Sequence, residues 1–420
     1  MRPVMARIVL KYGGTSVGTA ARVRAVADLV AARCAAGDEV AVVVSAMGHA
    51  TDHLVDLMAQ VSERPPGREV DMLLASGEQV SIALVAAALE GLGVPARSML
   101  GFQAGMVTAA DHTRAAIARV ETGRLEALLA EGIVPVVAGF QGITEDGEVT
   151  TLGRGGSDTT AVALAVALKA DRCEICTDVD GVYTTDPRVV PEARLLPEVA
   201  YDEMLELASL GAKVLHPRSV ELAARSNMPL VVRSSFGSHP GTIVRGVDQL
   251  EIRHPVTGVT VDLDQVRLVL RGLPDRPDIP PSLFMALAQA GRNVDVITML
   301  VRTGPGGDQL DLGFTVASGD RKAAAEVATR WVASHQGATL EIDDSVAKVS
   351  IVGAGMVHHP GVAAGLFEAL EQAAIPIRMI ATSEIKVSCV VPRHLGLAAV
   401  QAAHRRFALH EVRQPRVLAR

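Results

Sequence analysis

Cysteine and long apolar runs are both scarce in this chain, and each scarcity excludes a class of protein. Four Cys among 420 residues provide no disulfide framework, so we expect a reducing, cytoplasmic location. Apolar stretches such as Ala161–Leu168 are far shorter than the roughly 20 residues of a membrane-spanning helix. Residues Met1–Arg7 lack the apolar core of a secretory signal, so we expect no membrane partner.

An excess of basic charge is also missing. The formal net charge is −7 at pH 7 and the sequence pI is about 6.0, which argues against nucleic acid or an anionic membrane as a general partner. Cys173 and Cys176 form a C-x-x-C pair inside a strand-like run. Because no second Cys pair accompanies them, buried thiols explain them better than a redox or metal site.

Lysine is rare among the 40 basic residues. A chain that otherwise uses Arg can retain Lys where chemistry needs a compact ammonium on a flexible stem, although chance explains any single one equally well. The lysines are Lys11, Lys169, Lys213, Lys322, Lys348 and Lys386.

The length of the chain predicts two or three domains. Up to residue 235, short apolar runs alternate with helical patterns, which is typical of βαβ units and a mainly parallel sheet covered by helices. Beyond residue 255 one plan occurs twice, with a repeat of about 80 residues, and its β-α-β-β order is ferredoxin-like. The first copy begins at Gln265 and the second at Ala347.

Two adjacent glycines follow the first predicted strand, in the stretch Lys11–Ser16 (KYGGTS). Gly13 and Gly14 let the backbone turn its N–H groups toward an anion, and the helix start that follows adds positive potential. Lys11 could then face the β- and γ-phosphates of a nucleotide, with an ordinary glycine turn as the alternative. The chain contains neither the P-loop pattern nor the H-R-D and D-F-G signatures of protein kinases.

A second glycine-rich loop, Gly153–Thr160 (GRGGSDTT), opens the helix that runs to Ala170. Ser157 or Asp158 is placed to cap that helix. The planar guanidinium of Arg154 can bind a carboxylate through two parallel hydrogen bonds, which suits an amino-acid substrate. A purely structural loop explains the glycines and leaves Arg154 unexplained.

A third polar stretch, Thr177–Arg188 (TDVDGVYTTDPR), begins at the carboxyl end of a strand, where open α/β sheets usually bind ligands. A glycine loop with Lys, a glycine loop with Arg and this strand-end loop together favour phosphoryl transfer.

These stretches resemble aspartate kinase, a family of the amino-acid kinase superfamily. Further stretches that resemble it are Ser45–Asp52, Ala75–Ser81, Leu210–Pro217, Val349–Ala363 and Thr382–Lys386. The resemblance covers essentially the whole chain, and it implies an α/β amino-acid kinase fold followed by two ferredoxin-like (βαββαβ) ACT domains. We predict a catalytic domain over 1–245, a first ACT domain over 262–340 and a second over 345–420, whose last strand is a candidate to complete the first.

The resemblance also implies a reaction: ATP-dependent phosphorylation of the side-chain carboxylate of L-aspartate to 4-phospho-L-aspartate, the first step toward lysine, threonine and methionine. A carboxylate is already ionised near pH 7, so no general base is required. Catalysis then consists of positioning and of charge neutralisation by Lys11, Lys213 and Mg²⁺, and the Mg²⁺ arrives with ATP without a dedicated protein site.

Positions that match the family's sites form three sets. The catalytic set is Lys11, Asp158 and Lys213. The substrate set is Ser45, Thr51, Glu78, Arg154 and Ser157, in which Glu78 would meet the α-amino group of aspartate and Arg154 its α-carboxylate. The ATP set is Lys11, Gly13, Gly14, Thr15, Ser16, Thr177, Asp178, Tyr183, Asp186, Arg188 and Lys213.

The regulatory half departs from the family pattern. Asp278 stands where the family usually has Gly, Met299 and Leu300 replace a Gln-Asn pair, and Ala381 replaces Ser. Each polar partner lost from such a site costs about 1–3 kcal/mol. We therefore predict that feedback inhibition by the candidate effectors lysine and threonine is weak, altered or absent, unless other residues supply the same contacts. The candidate effector positions are Asp275, Asp278, Asn293, Asp295, Met299, Leu300, Ala381, Thr382, Ser383 and Glu384.

Two other functions stay open from sequence. One is another amino-acid kinase, acting on glutamate, acetylglutamate, carbamate or a nucleotide, against which the tandem ACT region argues. The other is a catalytically idle amino-acid sensor, against which the intact loops argue. Because ACT domains normally pair across subunits, the resemblance also implies a homo-oligomer.

Overall fold

The computed structural model describes residues 6–212, 214–247, 254–304, 307–335 and 337–411, which divide into two compact units. The first unit comprises 6–182, 195–209 and 214–247. The second comprises 183–194, 210–212 and the described residues from 254 to 411. The segment 183–194 therefore interrupts the first unit along the chain and belongs to the second.

The first unit alternates strands and helices, as its sequence predicts. Its strands are β1 (Arg7–Tyr12), β2 (Glu39–Val44), β3 (Ala96–Met99), β4 (Met106–Thr108), β5 (Ile117–Val120), β6 (Val134–Ala138), β7 (Gln141–Ile143), β8 (Val149–Thr151), β9 (Arg172–Thr177), β10 (Glu198–Ala200), β11 (Leu230–Ser234) and β12 (Thr242–Arg245). Its helices are α1 (Ala20–Ala35), α2 (Ala50–Val61), α3 (Gly67–Leu74), α4 (Ser76–Gly91), α5 (Gly123–Ala130), α6 (Gly156–Ala167), α7 (Tyr201–Leu207) and α8 (Pro217–Arg225).

The central sheet of the first unit has eight strands in the order β10-β12-β11-β9-β1-β2-β6-β3. Neighbouring strands from β11 to β3 are parallel, and β12 runs antiparallel to β11. Strand β1 lies between β2 and β9, and it is buried from Ile8 to Tyr12. Continuous apolar runs of this kind are typical of parallel strands with both faces covered.

Helices cover both faces of β1. On one face, Ile8 and Leu10 pack in a cluster with Val26 of α1 and Leu89 of α4. Because successive side chains of a strand point to opposite faces, Lys11 points to the other side, where α6 packs. The prediction of a mainly parallel sheet sandwiched by helices is confirmed. The remaining strands form a smaller sheet in the order β5-β4-β7-β8.

The second unit contains a single six-stranded sheet in the order β14-β15-β13-β16-β18-β17. Its elements are β13 (Gly258–Pro274), α9 (Ile279–Gln289), β14 (Ile297–Gly304), β15 (Gly307–Ala317), α10 (Arg321–Val332), β16 (Thr339–Val352), α11 (Val362–Gln372), β17 (Met379–Thr382), β18 (Lys386–Pro392) and α12 (Gly396–Arg406).

Two ferredoxin-like modules share this sheet, as the repeat predicts. The first module contains the second half of β13, then α9, β14, β15, α10 and the first half of β16. The second module contains the second half of β16, then α11, β17, β18 and α12, and its fourth strand is the first half of β13. In each module the fourth strand lies beside the first, which is the ferredoxin-like arrangement.

The two modules are therefore interlocked through β13 and β16. Val259 of β13 pairs with Ile351 in the second module, and Leu268 of the same strand pairs with Ile342 in the first. Register shifts near Gln265 mark the change from one module to the other. The domain boundaries given above stay a prediction. Residues 412–420, at the end of the predicted second ACT domain, lie outside the described residues, and the candidate last strand stays a prediction.

Two features of the first unit bear on the protein classes that the sequence argues against, which are membrane proteins and proteins with a redox or metal site at a C-x-x-C pair. The apolar stretch Gly67–Gly91 could cross a membrane by length and composition alone, but half of its most apolar window is buried inside the structure. It also contains the buried carboxylates Asp71 and Glu78, so it is better described as a core segment. Cys173 and Cys176 are buried free thiols, and burial raises the pKa of Cys176 to about 12.

Candidate active site

The carboxyl ends of four parallel strands meet at one edge of the central sheet. Strands β2, β1 and β9 are adjacent, with Lys11 of β1 in register with Val43 and Ile175, and β6 pairs with the far side of β2. Loops that leave this edge follow Tyr12, Val44, Ala138 and Thr177. Ligands of open α/β sheets bind at this type of edge, so loops that are distant in sequence converge here.

A cavity of about 300 Å³ lies at this edge, within the first unit. It brings together seven of the side chains predicted for catalysis and substrate binding, from four separate stretches of sequence. Its lining residues are Lys11, Ser45, Thr51, Glu78, Phe140, Gly153, Arg154, Gly155, Gly156, Ser157 and Asp158. Lys213, the eighth predicted residue, lies outside the described residues.

Lys11 and Asp158 form an ion pair in this cavity. The Nζ atom of Lys11 lies 2.7 Å from Oδ1 of Asp158, and the two side chains are only 11% and 13% exposed. Asp158 is in the first turn of α6, where a carboxylate is stabilised by the positive end of the helix dipole. The carboxylate fixes the position of the ammonium, while the low exposure keeps water from screening its charge.

The glycine turn after β1 leaves space for a close approach of backbone to backbone. A Cβ atom on Gly14 would lie 2.7 Å from the backbone oxygen of Ala46, which no side chain tolerates. Gly14 begins a short 3-10 helix that ends at Val17. Within it, the Ser16 hydroxyl lies 2.7 Å from that of Ser235 and is fully buried, whereas Thr15 is exposed. The Ser16 hydroxyl and the Ser16 backbone N–H, which donates a hydrogen bond of 2.9 Å to the backbone oxygen of Gly13, are therefore both engaged within the protein.

Glu78 is a buried carboxyl group with an unused oxygen. It lies on α4 and is 2% exposed, and its Oε1 accepts a hydrogen bond of 3.1 Å from the backbone N–H of Ala46. Its Oε2 is buried and has no hydrogen-bond partner among the residues that the structure describes. Burial raises the pKa of Glu78 to about 7, against the opposing effect of the Ala46 N–H. A cationic group entering the cavity would find an oxygen ready to accept its hydrogen bond.

The loop that contains Arg154 is shaped by its glycines. Gly155 has a φ of +72°, and a Cβ atom there would lie 2.1 Å from the ring of His216. Burial is the main cause that lowers the pKa of His216, which favours a neutral ring against this glycine. Arg154 is exposed, and no ion pair or hydrogen bond of its side chain is found within the described part of the chain. Its guanidinium is free to bind an anion from solution.

A network around Asp71 holds the other end of this loop. The fully buried carboxylate of Asp71 accepts hydrogen bonds from the backbone N–H of Thr113 at 3.0 Å and from the hydroxyl of Thr151 at 2.5 Å. It also lies 2.7 Å from Nδ1 of His112. Thr151 is the last residue of β8, two positions before Gly153 of the cavity, so Asp71 fixes the strand from which the Arg154 loop leaves.

Sequence reasoning missed three residues of this site. Phe140 lines the cavity and has a φ of +71°, a conformation that no sequence pattern of Phe indicates. Asp71 is a single acid before an apolar helical run and reads as a surface residue. His216 lies in the stretch Leu210–Pro217, and its position before a Pro at the first helical turn was the available signal.

The residues predicted to bind the nucleotide are divided between the two units. Gly13, Gly14, Thr177 and Asp178 belong to the first unit, and the Thr177 hydroxyl donates a hydrogen bond of 3.1 Å to Asp178. Tyr183, Asp186 and Arg188 belong to the second unit with the segment 183–194. Arg188 binds the carboxylate of Asp186 through Nη2 at 2.7 Å and lowers the pKa of that carboxyl group.

The candidate effector positions lie on the second unit. Met299 and Leu300 are on the edge strand β14 and are 61% and 59% exposed. Asp278 is exposed and forms an ion pair of 2.9 Å with Arg276. Asp295 is ion-paired with Lys348, whose side chain is 5% exposed. The others, Asp275, Asn293, Thr382, Ser383 and Glu384, are exposed, and Ala381 is partly buried.

Comparison with known proteins agrees with this geometry. The amino acid kinase family model matches residues 6–234, and an ACT domain model matches 349–407. An aspartokinase of Thermus thermophilus is 47% identical over 407 residues, which are 96% of this chain and 99% of that protein. The chain belongs to the aspartokinase family. An aspartokinase of Mycolicibacterium smegmatis is 48% identical over 408 residues, covering 96% and 97% of the two chains.

Solved structures of the aspartokinase family have the same fold. The aspartate kinase of Synechocystis superposes with a TM-score of 0.84 at 36% identity and covers 98% of this chain and 100% of its own. Aspartokinase III of E. coli in complex with aspartate and ADP gives a TM-score of 0.79 at 27% identity, with 96% and 99% covered. The predictions of the family and of its fold are therefore confirmed.

The raised pKa of Glu78 predicts a pH-dependent stability. The folded-state pKa of about 7 exceeds the usual value of 4.5, so ionisation opposes folding and stability falls as the pH rises between these values. Gln cannot ionise, so Glu78→Gln removes this loss of folding stability, which is on the order of 2–3 kcal/mol above about pH 7.5. Urea unfolding at about pH 5.5 and about pH 8 measures the difference, with the exposed Glu63→Gln as control. An equal pH response of wild type and Glu78→Gln would contradict it.

The Asp71 network predicts a stability cost of its own. Asp71→Asn replaces an acceptor-only carboxylate by an amide, which mismatches one of its buried donors and costs about 1–3 kcal/mol in the free energy of unfolding. Asp56→Asn on the exposed face of α2 is the matched control and should stay within about 0.5 kcal/mol. Chemical denaturation measures both, and equal effects of the two variants would show that the Asp71 network contributes nothing.

Proposed function

We propose that this chain transfers the γ-phosphoryl group of ATP to the side-chain carboxylate of L-aspartate, giving ADP and 4-phospho-L-aspartate. The observation that supports this most is the cavity, which gathers an ammonium paired with a carboxylate, a free guanidinium and a buried carboxyl group. An amino acid with two carboxylates and one ammonium is complementary to that set. The E. coli family member that binds aspartate and ADP has the same fold.

Binding of aspartate uses two charges of opposite sign. The guanidinium of Arg154 holds the α-carboxylate, since it is unengaged in this structure and presents two parallel N–H donors. Glu78 receives the α-ammonium through its partnerless Oε2. A cation beside this carboxyl group lowers its pKa from about 7, so Glu78 is ionised in the complex. Ser45, Thr51 and Ser157 contribute hydroxyl groups to the same cavity.

The chemical step forms one bond and breaks one. A side-chain carboxylate oxygen of aspartate attacks the γ-phosphorus of ATP, and the bond from that phosphorus to the β,γ-bridging oxygen breaks, so that the electron pair leaves with ADP. No proton has to be removed because the carboxylate is ionised near pH 7. The task of the protein is to align the two reactants and to neutralise charge.

Lys11 supplies positive charge at the phosphoryl group, and Asp158 holds it in place. Among the described residues no group of three or more His, Cys, Asp or Glu side chains could hold a metal. In this proposal Mg²⁺ arrives with ATP. When bound, that ion neutralises charge on the phosphate oxygens. The backbone of Gly13–Ser16 provides the cradle, and Thr177, Asp178, Tyr183, Asp186, Arg188 and Lys213 complete the nucleotide set.

We also propose a cytoplasmic homo-oligomer that makes the precursor of lysine, threonine and methionine. Strand β14 is an edge strand with three large apolar side chains that are at least half exposed: Ile297, Met299 and Leu300. Unpaired apolar edges of this kind associate readily with another chain. The four free thiols suit a reducing compartment.

Feedback inhibition by lysine and threonine is weak or altered in this proposal. Met299 and Leu300 offer no donor or acceptor from their side chains, and Ala381 lacks the hydroxyl of Ser. An effector amino acid at these positions loses polar partners, each worth about 1–3 kcal/mol. The cavity in the first unit retains every described residue of its predicted set, so catalysis without strong inhibition is the combination we expect.

The proposed reaction is tested with Mg-ATP, L-aspartate and hydroxylamine, which traps the acyl phosphate as aspartyl hydroxamate. Lys11→Ala should lower kcat by about 100-fold or more, since it removes the charge that stabilises the transferring phosphoryl group. The exposed Lys322→Ala is the matched control and should retain wild-type turnover. Hydroxamate formed faster from glutamate would favour a sister amino-acid kinase, and none from any substrate would favour a sensor without activity.

The altered effector positions predict that lysine and threonine inhibit the enzyme only weakly. In the same assay, millimolar lysine plus threonine should lower turnover by less than about twofold. Restoring polarity with the triple variant Met299→Gln, Leu300→Asn, Ala381→Ser should increase the inhibition. Strong inhibition of the wild type by either amino acid would overturn the proposal of weak feedback while leaving the kinase assignment intact.

A further inference from the structure

A segment proposed to bind the nucleotide is built into the second module. Residues 183–194 contain Tyr183, Asp186 and Arg188, and they belong to the second unit although the first unit precedes and follows them in the chain. In the first unit, the flanking residues Val182 and Leu196 are joined by a backbone hydrogen bond of 2.8 Å. The ends of the segment are thus held by one unit and its body by the other.

Thr184 is the point at which the segment is fastened to the second module. It is fully buried, and its backbone oxygen accepts a hydrogen bond of 2.8 Å from the N–H of Val259 on β13. Its hydroxyl oxygen accepts the backbone N–H of Arg194 at 3.0 Å, which closes the segment into a loop. The same hydroxyl lies 3.0 Å from Nε2 of His404 on α12.

Apolar contacts hold the middle of the segment to the same module. Val190 is 5% exposed and belongs to the core of the second module, in a cluster with Leu370 of α11 and Val400 of α12. The side-chain amide of Gln401 donates a hydrogen bond of 3.2 Å to the backbone oxygen of Val189. Helix α12 therefore contacts the segment through its core and through two polar side chains.

His404 is suited to a fixed and neutral role. It is 1% exposed, and burial is the main cause that lowers its pKa, followed by the nearby His410. A neutral imidazole nitrogen and a hydroxyl group can pair in either direction, so the contact with Thr184 satisfies two buried polar atoms at once. Loss of the imidazole leaves the Thr184 hydroxyl with the backbone N–H of Arg194 as its remaining partner of these two.

We propose that His404 is a positioning residue for ATP. By holding Thr184 it fixes the segment that contains Asp186 and Arg188, so that the second module sets the affinity for the nucleotide and leaves the affinity for aspartate unchanged. This inference depends on the proposed function, because it takes 183–194 as a nucleotide-binding segment. The lining of the aspartate cavity includes no residue of that segment, which is why the two affinities separate.

The test compares the KM for ATP with the KM for aspartate in variants of the full chain. His404→Leu should raise the KM for ATP about tenfold, since the buried Thr184 hydroxyl loses one of its two partners. The KM for aspartate and kcat should change by less than about twofold. His404→Gln, whose amide nitrogen reaches a position close to that of Nε2, should restore the KM for ATP to within about threefold of wild type.

A second variant and a control separate positioning from loss of stability. Thr184→Val also removes the acceptor of the Arg194 N–H, so it should raise the KM for ATP at least as much as His404→Leu, and the double variant should be no worse than Thr184→Val alone. Leu366→Ala cuts a fully buried side chain of α11 in the same core and should lower the melting temperature without raising the KM for ATP. An equal rise of the KM for ATP in Leu366→Ala would overturn the inference, because general loosening would then explain the effect.

Failure of the proposed function gives a different result. If the wild type forms no hydroxamate from aspartate, the proposed function fails, and calorimetric titration with Mg-ADP still measures nucleotide affinity in each variant. An active wild type with an unchanged KM for ATP in His404→Leu refutes only the role of His404. Calorimetric affinities for Mg-ADP that are equal in wild type and His404→Leu refute it as well.

Discussion

The parallel pairing of β1 with β2 on one side and with β9 on the other is the constraint on which the active site depends. Because both faces of β1 are covered, its residues from Ile8 to Leu10 are apolar, and the charged Lys11 comes one position before the strand ends. The same pairing brings the ends of β2 and β9 to the same edge. Strand pairing alone therefore places loops that are distant in sequence around one cavity, and no further contact between the loops is needed to bring them together.

Within that cavity, burial gives each charge its chemical property. Lys11 and Asp158 are both little exposed and neutralise one another at 2.7 Å, so the pair can persist where a single buried ion could not. Glu78 has no ion-pair partner among the described residues, and burial raises its pKa to about 7. Exposed Arg154 keeps its full charge in contact with solvent. The Lys11–Asp158 ion pair, the Glu78 carboxyl group and the Arg154 guanidinium together form a site whose charges are balanced only when a zwitterionic ligand binds.

The sequence was sufficient for the alternation of strands and helices, the repeated ferredoxin-like plan and the loops that converge on the cavity, since glycine pairs, strand ends and helix starts are local signals. It was insufficient where a residue acts through distant partners. Asp71 is the acceptor at the centre of a hydrogen-bond network only because β8 and the residues after β4 bring Thr151 and Thr113 to it. Likewise, nothing in the amino-acid sequence of 183–194 indicates that Thr184 contacts His404, which is more than 200 positions away. The sequence suggested that one module supplies a strand to the other, but the crossing of β13 between the modules was missed because a repeat does not show where its strands pair.

The shared strands β13 and β16 have a consequence for how the regulatory half folds. The second module cannot complete its sheet until Val259 meets Ile351, and the whole of the first module lies between them in the chain. Contacts of such high sequence separation form late and slowly. During synthesis the first copy can close once the first half of β16 has left the ribosome, whereas the second copy closes only by pairing back to the start of β13, across the whole of the first copy. Two repeats that look duplicated and separable are thus joined through two shared strands, and removing either repeat with the whole of its first strand would leave the other without one of its four strands.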